Sequence, residues 1–171
     1  MELVLITLWH VILLYAPAYV ANMAPPIAAS LKLPGGGSVY VPWFGTQKTW
    51  RGIVSGIVSG TCTALLLWYL GWSWFGGVPL FRAGWGGVFL GLGAMLGDLV
   101  KSGLKRSFQI APGKPWVPWD QIDFVLGATF VASILIPFSY RDVLLALLIT
   151  PPLHLLVNVI SYCCGIKKVW W

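Results

Sequence analysis

Five long apolar runs, with most of the charge lying between them, leave this chain one solvent in which to fold: a lipid bilayer. The runs cover residues 3–24, 52–70, 85–106, 122–138 and 143–165, so each is 17 to 23 residues long. Roughly 20 are needed to cross the hydrocarbon core. Only 9% of the residues are charged, where a soluble domain carries about 25%, so there is too little polar surface to coat a body in water. The 11 Trp and 6 Tyr suit a bilayer interface. The expected fold is all-α, a single polytopic integral membrane domain of five transmembrane helices. The N-terminus carries Glu2 rather than a basic stretch, so the first run is expected to be a span, not a cleaved signal. Cys62, Cys163 and Cys164 follow no zinc spacing and are expected to act as small apolar residues.

The net charge is +6. In a water-soluble chain that would point to nucleic acid. Here the distribution points elsewhere, and no nucleic-acid partner is expected. Lys32, Lys48, Arg51, Lys101, Lys105, Arg106, Lys114, Lys167 and Lys168 fall on one side of a five-span topology, and Arg82 and Arg141 on the other. Positive loops face the cytoplasm, which puts the N-terminus outside and the C-terminus in the cytoplasm of a multi-pass cell-membrane protein. The same excess also suits a multiply anionic ligand.

Small residues recur inside the second and third runs: Gly52, Gly56 and Gly60, then Gly87 with Gly91 and Gly93 with Gly97. Such stripes let helix backbones approach closely. Gly45 to Thr49 lacks the glycines of a phosphate-binding P-loop.

The chemistry is expected where the third run turns polar. Asp98, Lys101, Ser102, Lys105 and Arg106 fall at i, i+3, i+4, i+7 and i+8, one face of a helix. Lysine and arginine can snorkel to headgroups, but a short carboxylate such as Asp98 cannot, and an ionisable residue at that depth signals function. Asp120 and Asp123, one turn apart at the start of the fourth run, add two carboxylates. Helix capping would account for Asp120 alone. Three acids together suit magnesium, which takes oxygen ligands from carboxylates and substrate phosphates. Lys48, Arg51, Lys101, Lys105, Arg106 and Lys114 bring positive charge to the same face. Carboxylates for a metal beside cations for phosphate is the equipment of phosphoryl and nucleotidyl transfer. His10 and His154 both lie inside spans, which disfavours a histidine base but not a reaction whose nucleophile is already an anion.

These residues resemble a known signature. Gly97-Asp98-x3-Ser102-x2-Lys105-Arg106, Pro112-Gly113 and Asp120-x2-Asp123 resemble the membrane CTP:phosphatidate cytidylyltransferases. Asp98-Leu99-Val100-Lys101-Ser102, Asp120-Gln121-Ile122-Asp123-Phe124 and Lys48-Thr49-Trp50-Arg51-Gly52 are similar to the short branch of that superfamily, CDP-archaeol synthase. The His-Gly-Gly of the longer bacterial-type enzymes is absent, and Gln121 stands where they carry Arg.

The resemblance implies that CTP and a di-geranylgeranyl glycerol phosphate, an isoprenoid lipid, give CDP-archaeol and pyrophosphate at the cytoplasmic face. It implies that Asp98, Asp120 and Asp123 hold one or two Mg2+ ions, with magnesium or a monovalent ion such as potassium at a second site. Lys101, Lys105 and Arg106 would meet phosphate groups and Ser102 would donate to one. Lys48, Thr49 and Arg51, with Lys114 and Gln121, would bind substrate. The lipid tails are expected between spans, with the glycine-rich second and third as a wall. Two other readings stay open: a CTP-dependent prenol kinase, and a small membrane transporter using the intramembrane acids.

Overall fold

The structure, a computed structural model, describes residues 2–111 and 114–165. The Pro112-Gly113 pair and the tail lysines Lys167 and Lys168 lie outside the described residues. Within them the chain is all-helical: α1 Glu2–Ser30, α2 Val41–Phe44, α3 Trp50–Tyr69, α4 Ser73–Gly76, α5 Leu80–Ser107, α6 Trp119–Ala132 and α7 Tyr140–Cys163. The only β-type pairing among them is one isolated bridge between Ser38 and Thr49.

Four of these helices, α1, α3, α5 and α7, are long and apolar enough to cross a bilayer. Their outer faces carry large apolar side chains in the open, among them Leu148 at 73% exposure and Tyr69 at 79%. Only lipid makes such a surface stable.

Three elements differ from the sequence expectation. Helix α1 does not stop at Pro25-Pro26 but continues to Ser30, with Pro17, Pro25 and Pro26 inside it. A proline removes one backbone donor and crowds the preceding turn, yet neighbouring helices tolerate it in a membrane helix. Here Pro17 is fully buried. Helix α5 starts at Leu80, so Arg82 lies in its first turn instead of a connecting loop. The fourth run yields only the 14 residues of α6, about 21 Å of helix at 1.5 Å per residue. Residues 133–138 are turn and coil. Pro137 explains the stop: it lacks an N–H and disfavours helical geometry at Ile136.

Helix α7 restarts the chain with a complete capping box. Ser139 Oγ accepts from the Asp142 amide at 3.1 Å, and the Asp142 carboxylate accepts from the Ser139 amide at 3.2 Å. This satisfies two otherwise orphaned donors at the helix start.

The glycine stripes are packing surfaces. A Cβ on Gly91 of α5 would lie 3.0 Å from Ile57 Cα of α3, and one on Gly60 would lie 3.2 Å from Gly91 Cα. A Cβ on Gly93 would lie 2.7 Å from Ala128 Cα of α6. Helix α5 is therefore clasped between α3 and α6 at backbone contact distance, and its polar end is carried with it. Two hydroxyl pairs fasten α1 to this core: Tyr15 with Thr129 of α6 at 2.7 Å, and Tyr19 with Thr150 of α7 at 2.8 Å.

Candidate active site

The last two turns of α5 face the first turn of α6. Gly97 sets their separation, because any Cβ there would collide with the carbonyl oxygen of Asp123. This approach brings Asp98 of α5 and Asp120 and Asp123 of α6 around a single ammonium. Lys101 Nζ lies 3.0 Å from Asp98 Oδ1, 3.3 Å from Asp120 Oδ1 and 2.9 Å from Asp123 Oδ2. One turn on, Lys105 Nζ lies 2.9 Å from both oxygens of Asp120 and donates to the Lys114 carbonyl at 2.7 Å. Lys48 comes from the loop before α3 and pairs with the other oxygen of Asp98.

Three lysines thus meet three aspartates, and the cluster is formally neutral. Its inner members are shielded from solvent: the Asp123 side chain is 6% exposed and that of Lys105 is 9%. Ion pairs at that depth persist only when charges are matched. Asp123 Oδ2 is buried, and Lys101 Nζ stands 2.9 Å from it.

The loop that delivers Lys48 is built for that task. Gly35, at φ +86°, allows the turn whose carbonyl accepts from the Arg51 amide at 2.8 Å. The Val39 amide donates to the Lys48 carbonyl at 2.8 Å, closing a hairpin-like return. Thr49 then caps α3, its Oγ1 accepting from the Gly52 amide at 3.2 Å.

The other sequence-nominated residues stand apart from the cluster. Arg51 donates to the Leu33 carbonyl at 2.7 Å, and Arg106 to the Ile110 carbonyl. Each guanidinium ties down its own loop, and among the described residues neither forms an ion pair. The Ser102 hydroxyl is buried and donates to the Asp98 carbonyl at 2.8 Å, back along its helix. Lys114 contributes its backbone carbonyl, while its side chain is exposed. Gln121 Oε1 is buried without a hydrogen bond.

Two features had no sequence signal strong enough to find them. A small cavity of about 50 Å³ beside the Lys48–Asp98 pair is lined by Pro25, Gln47 and Met95 among others. A larger, mostly apolar one of about 280 Å³ lies between α1 and α7, lined by Tyr19, Met23, His154, Val157 and Asn158. Phe124, next in the chain to Asp123, also lines it. This groove is not walled by the second and third runs, because their glycine faces are closed against neighbouring helices.

Comparison with known proteins shows the family. All of residues 1–171 match the model of one family, CarS-like: CDP-archaeol synthase. The chain belongs to the CDP-archaeol synthase family. The CDP-archaeol synthase of Methanococcus aeolicus is 36% identical over 163 residues, covering 91% of this chain and 92% of that protein. The CDP-archaeol synthase of Methanocaldococcus jannaschii is 34% identical over 178 residues, covering 99% and 98%. A solved structure described as an intramembrane enzyme for archaeal membrane lipids biosynthesis superposes with a TM-score of 0.73 at 27% identity, over 86% of this chain and 92% of that one. The CDP-archaeol synthase family is therefore the setting for the lysine–aspartate cluster, and the chain is a multi-pass membrane protein.

Among the described residues no three Asp, Glu, His or Cys side chains stand spaced around an ion. The carboxylates converge on Lys101 instead. Their chemistry nevertheless fits a hard divalent cation: every donor is an oxygen, and all three reach within 3.3 Å of one point.

Proposed function

We propose that this chain transfers a cytidylyl group from CTP to a di-geranylgeranyl glycerol phosphate, giving CDP-archaeol and pyrophosphate. The observation that carries the reading is the convergence of Asp98, Asp120 and Asp123 with Lys48, Lys101 and Lys105 at one end of α5 and α6. An oxygen of the lipid phosphate attacks the α-phosphorus of CTP. The new P–O bond forms as the bond to the β-phosphate oxygen breaks, and pyrophosphate leaves with the electron pair. The nucleophile is already an anion, so no general base is required. His154 suits that account: its Nδ1 lies 3.3 Å from Asn158 Nδ2 beside the apolar groove.

Asp98, Asp120 and Asp123 would hold Mg2+, which supplies Lewis-acid charge neutralisation on phosphate oxygens when bound. Lys101 and Lys105 serve the phosphates, Lys48 approaches from the first loop, and Arg51 and Arg106 hold the flanking loops in place. One isoprenoid chain of the lipid lies in the apolar groove between α1 and α7, which Phe124, next in the chain to Asp123, helps to line. The site faces the cytoplasm, where CTP is made. The nine Lys/Arg on that side against two on the other support this orientation. In this topology α6 and the turn at 133–138 together make the fourth of five crossings.

The test is direct. Purified protein is given CTP, Mg2+ and a panel of lipid phosphates and prenols, and pyrophosphate is followed. Release that depends on the isoprenoid glycerol phosphate is the expected result. CDP with a phosphorylated prenol would replace this reading by a kinase, and no product with any lipid would end both.

A further inference from the structure

We infer that Lys101 is the resident counter-ion of the metal site: its ammonium occupies the divalent-ion position until a metal–nucleotide displaces it. The inference rests on the cytidylyltransferase reading only for the identity of the incoming ligand. Three geometric facts carry it. Lys101 Nζ sits between 2.9 and 3.3 Å from one oxygen of each aspartate. Magnesium would need those oxygens at about 2.0–2.1 Å, so ion and ammonium cannot share the position. Among the described residues Lys101 is also the only ion-pair partner of Asp123.

The other two aspartates have second partners. Lys48 holds Asp98, and Lys105 holds both oxygens of Asp120. Departure of Lys101 therefore leaves Asp98 and Asp120 anchored and exposes Asp123 to the ion. Without any cation, three carboxylates this close would repel one another and part. An ammonium on a flexible four-carbon stem can hold them together and still swing aside, which a rigid guanidinium does less readily. The incoming ion brings two charges for one, and the displaced ammonium is left beside the phosphates that came with it.

Binding of Mn2+ alone, with no nucleotide and no lipid phosphate, tests this by electron paramagnetic resonance on the full chain in detergent. Lys101→Met is expected to bind Mn2+ more tightly than wild type by about tenfold or more, while Lys101→Arg, which keeps the charge, stays as weak as wild type. Lys101→Met binding no tighter than wild type overturns the inference. Should Lys101→Met fail to fold without metal, recovery of folded protein only when Mn2+ is present throughout purification supports it. Equal failure with and without the ion overturns it. The cytidylyltransferase reading fails separately, through absence of pyrophosphate from wild type, and leaves the Mn2+ comparison standing.

Discussion

Gly97 of α5 lies against the carbonyl oxygen of Asp123 on α6, with no room between them for a methyl group. Asp98 follows Gly97 directly, so the contact that fixes the helix spacing also fixes the distance between two carboxylates of the site. Gly97→Ala should push α6 outward, with an overpacking cost of about 1–3 kcal/mol and at least a tenfold loss of pyrophosphate release. Gly103→Ala is the control, since its Cβ would meet only Phe44, at 3.8 Å. Equal activity in the two variants would separate helix spacing from catalysis.

Asp98→Asn, Asp120→Asn and Asp123→Asn should each lower the rate at saturating CTP by tenfold or more, about 1.4 kcal/mol of barrier. Removal of divalent ions by a chelator should do the same to wild type, and added Mg2+ should restore it. Wild-type rates in all three variants would remove the metal role from these residues.

Lys105 is a structural tie as well as a charge. It joins α5 to Asp120 and to the Lys114 carbonyl. Lys105→Met leaves Asp120 with a weaker set of partners, and breaking a buried pair costs about 3–5 kcal/mol. The expected result is a lower midpoint of thermal unfolding in detergent and faster proteolysis between residues 108 and 118. An unchanged cleavage pattern would mean that other contacts hold this loop.

The groove between α1 and α7 offers a test of the lipid side alone. Ala16 and Val157 line it, and neither belongs to the charged cluster. Ala16→Trp or Val157→Trp should fill the cavity, raising KM for the long-chain lipid phosphate several-fold while KM for CTP holds. A short-chain lipid phosphate should be used equally well by variant and wild type. A rise in KM for CTP instead would place the groove elsewhere in the reaction.

The polar stripe on α5 was legible because Asp98, Lys101 and Lys105 follow the helical period, and the acids of α6 because they stand one turn apart. Periodicity could not say that Lys101 points at all three carboxylates, since that depends on how closely α6 approaches. The approach depends on Gly97, whose spacing from Gly93 marked a packing face but not its partner, and on Gly127, a lone glycine of the fourth run with no signal of its own. Serine and arginine were harder still. A buried hydroxyl such as that of Ser102 can be satisfied by its own helix, and guanidiniums such as those of Arg51 and Arg106 by loop carbonyls. Neither outcome is written in spacing. In the fold, the extension of α1 past Pro25-Pro26 was hidden because a proline pair normally reads as a stop. The short reach of α6 was hidden because Pro137 was counted as part of an apolar run.

The cancellation within the cluster has a kinetic consequence. Three lysines offset three aspartates, so the whole net charge of +6 resides elsewhere in the chain. To a nucleotide farther off than a Debye length, about 8 Å in physiological salt, the cluster is electrically silent. Long-range attraction belongs to the loop cations such as Lys32, Arg51 and Lys114, and it weakens with ionic strength. Encounter is thus governed by the rim, and residence by an exchange of partners inside. Added salt should therefore slow arrival far more than it hastens departure.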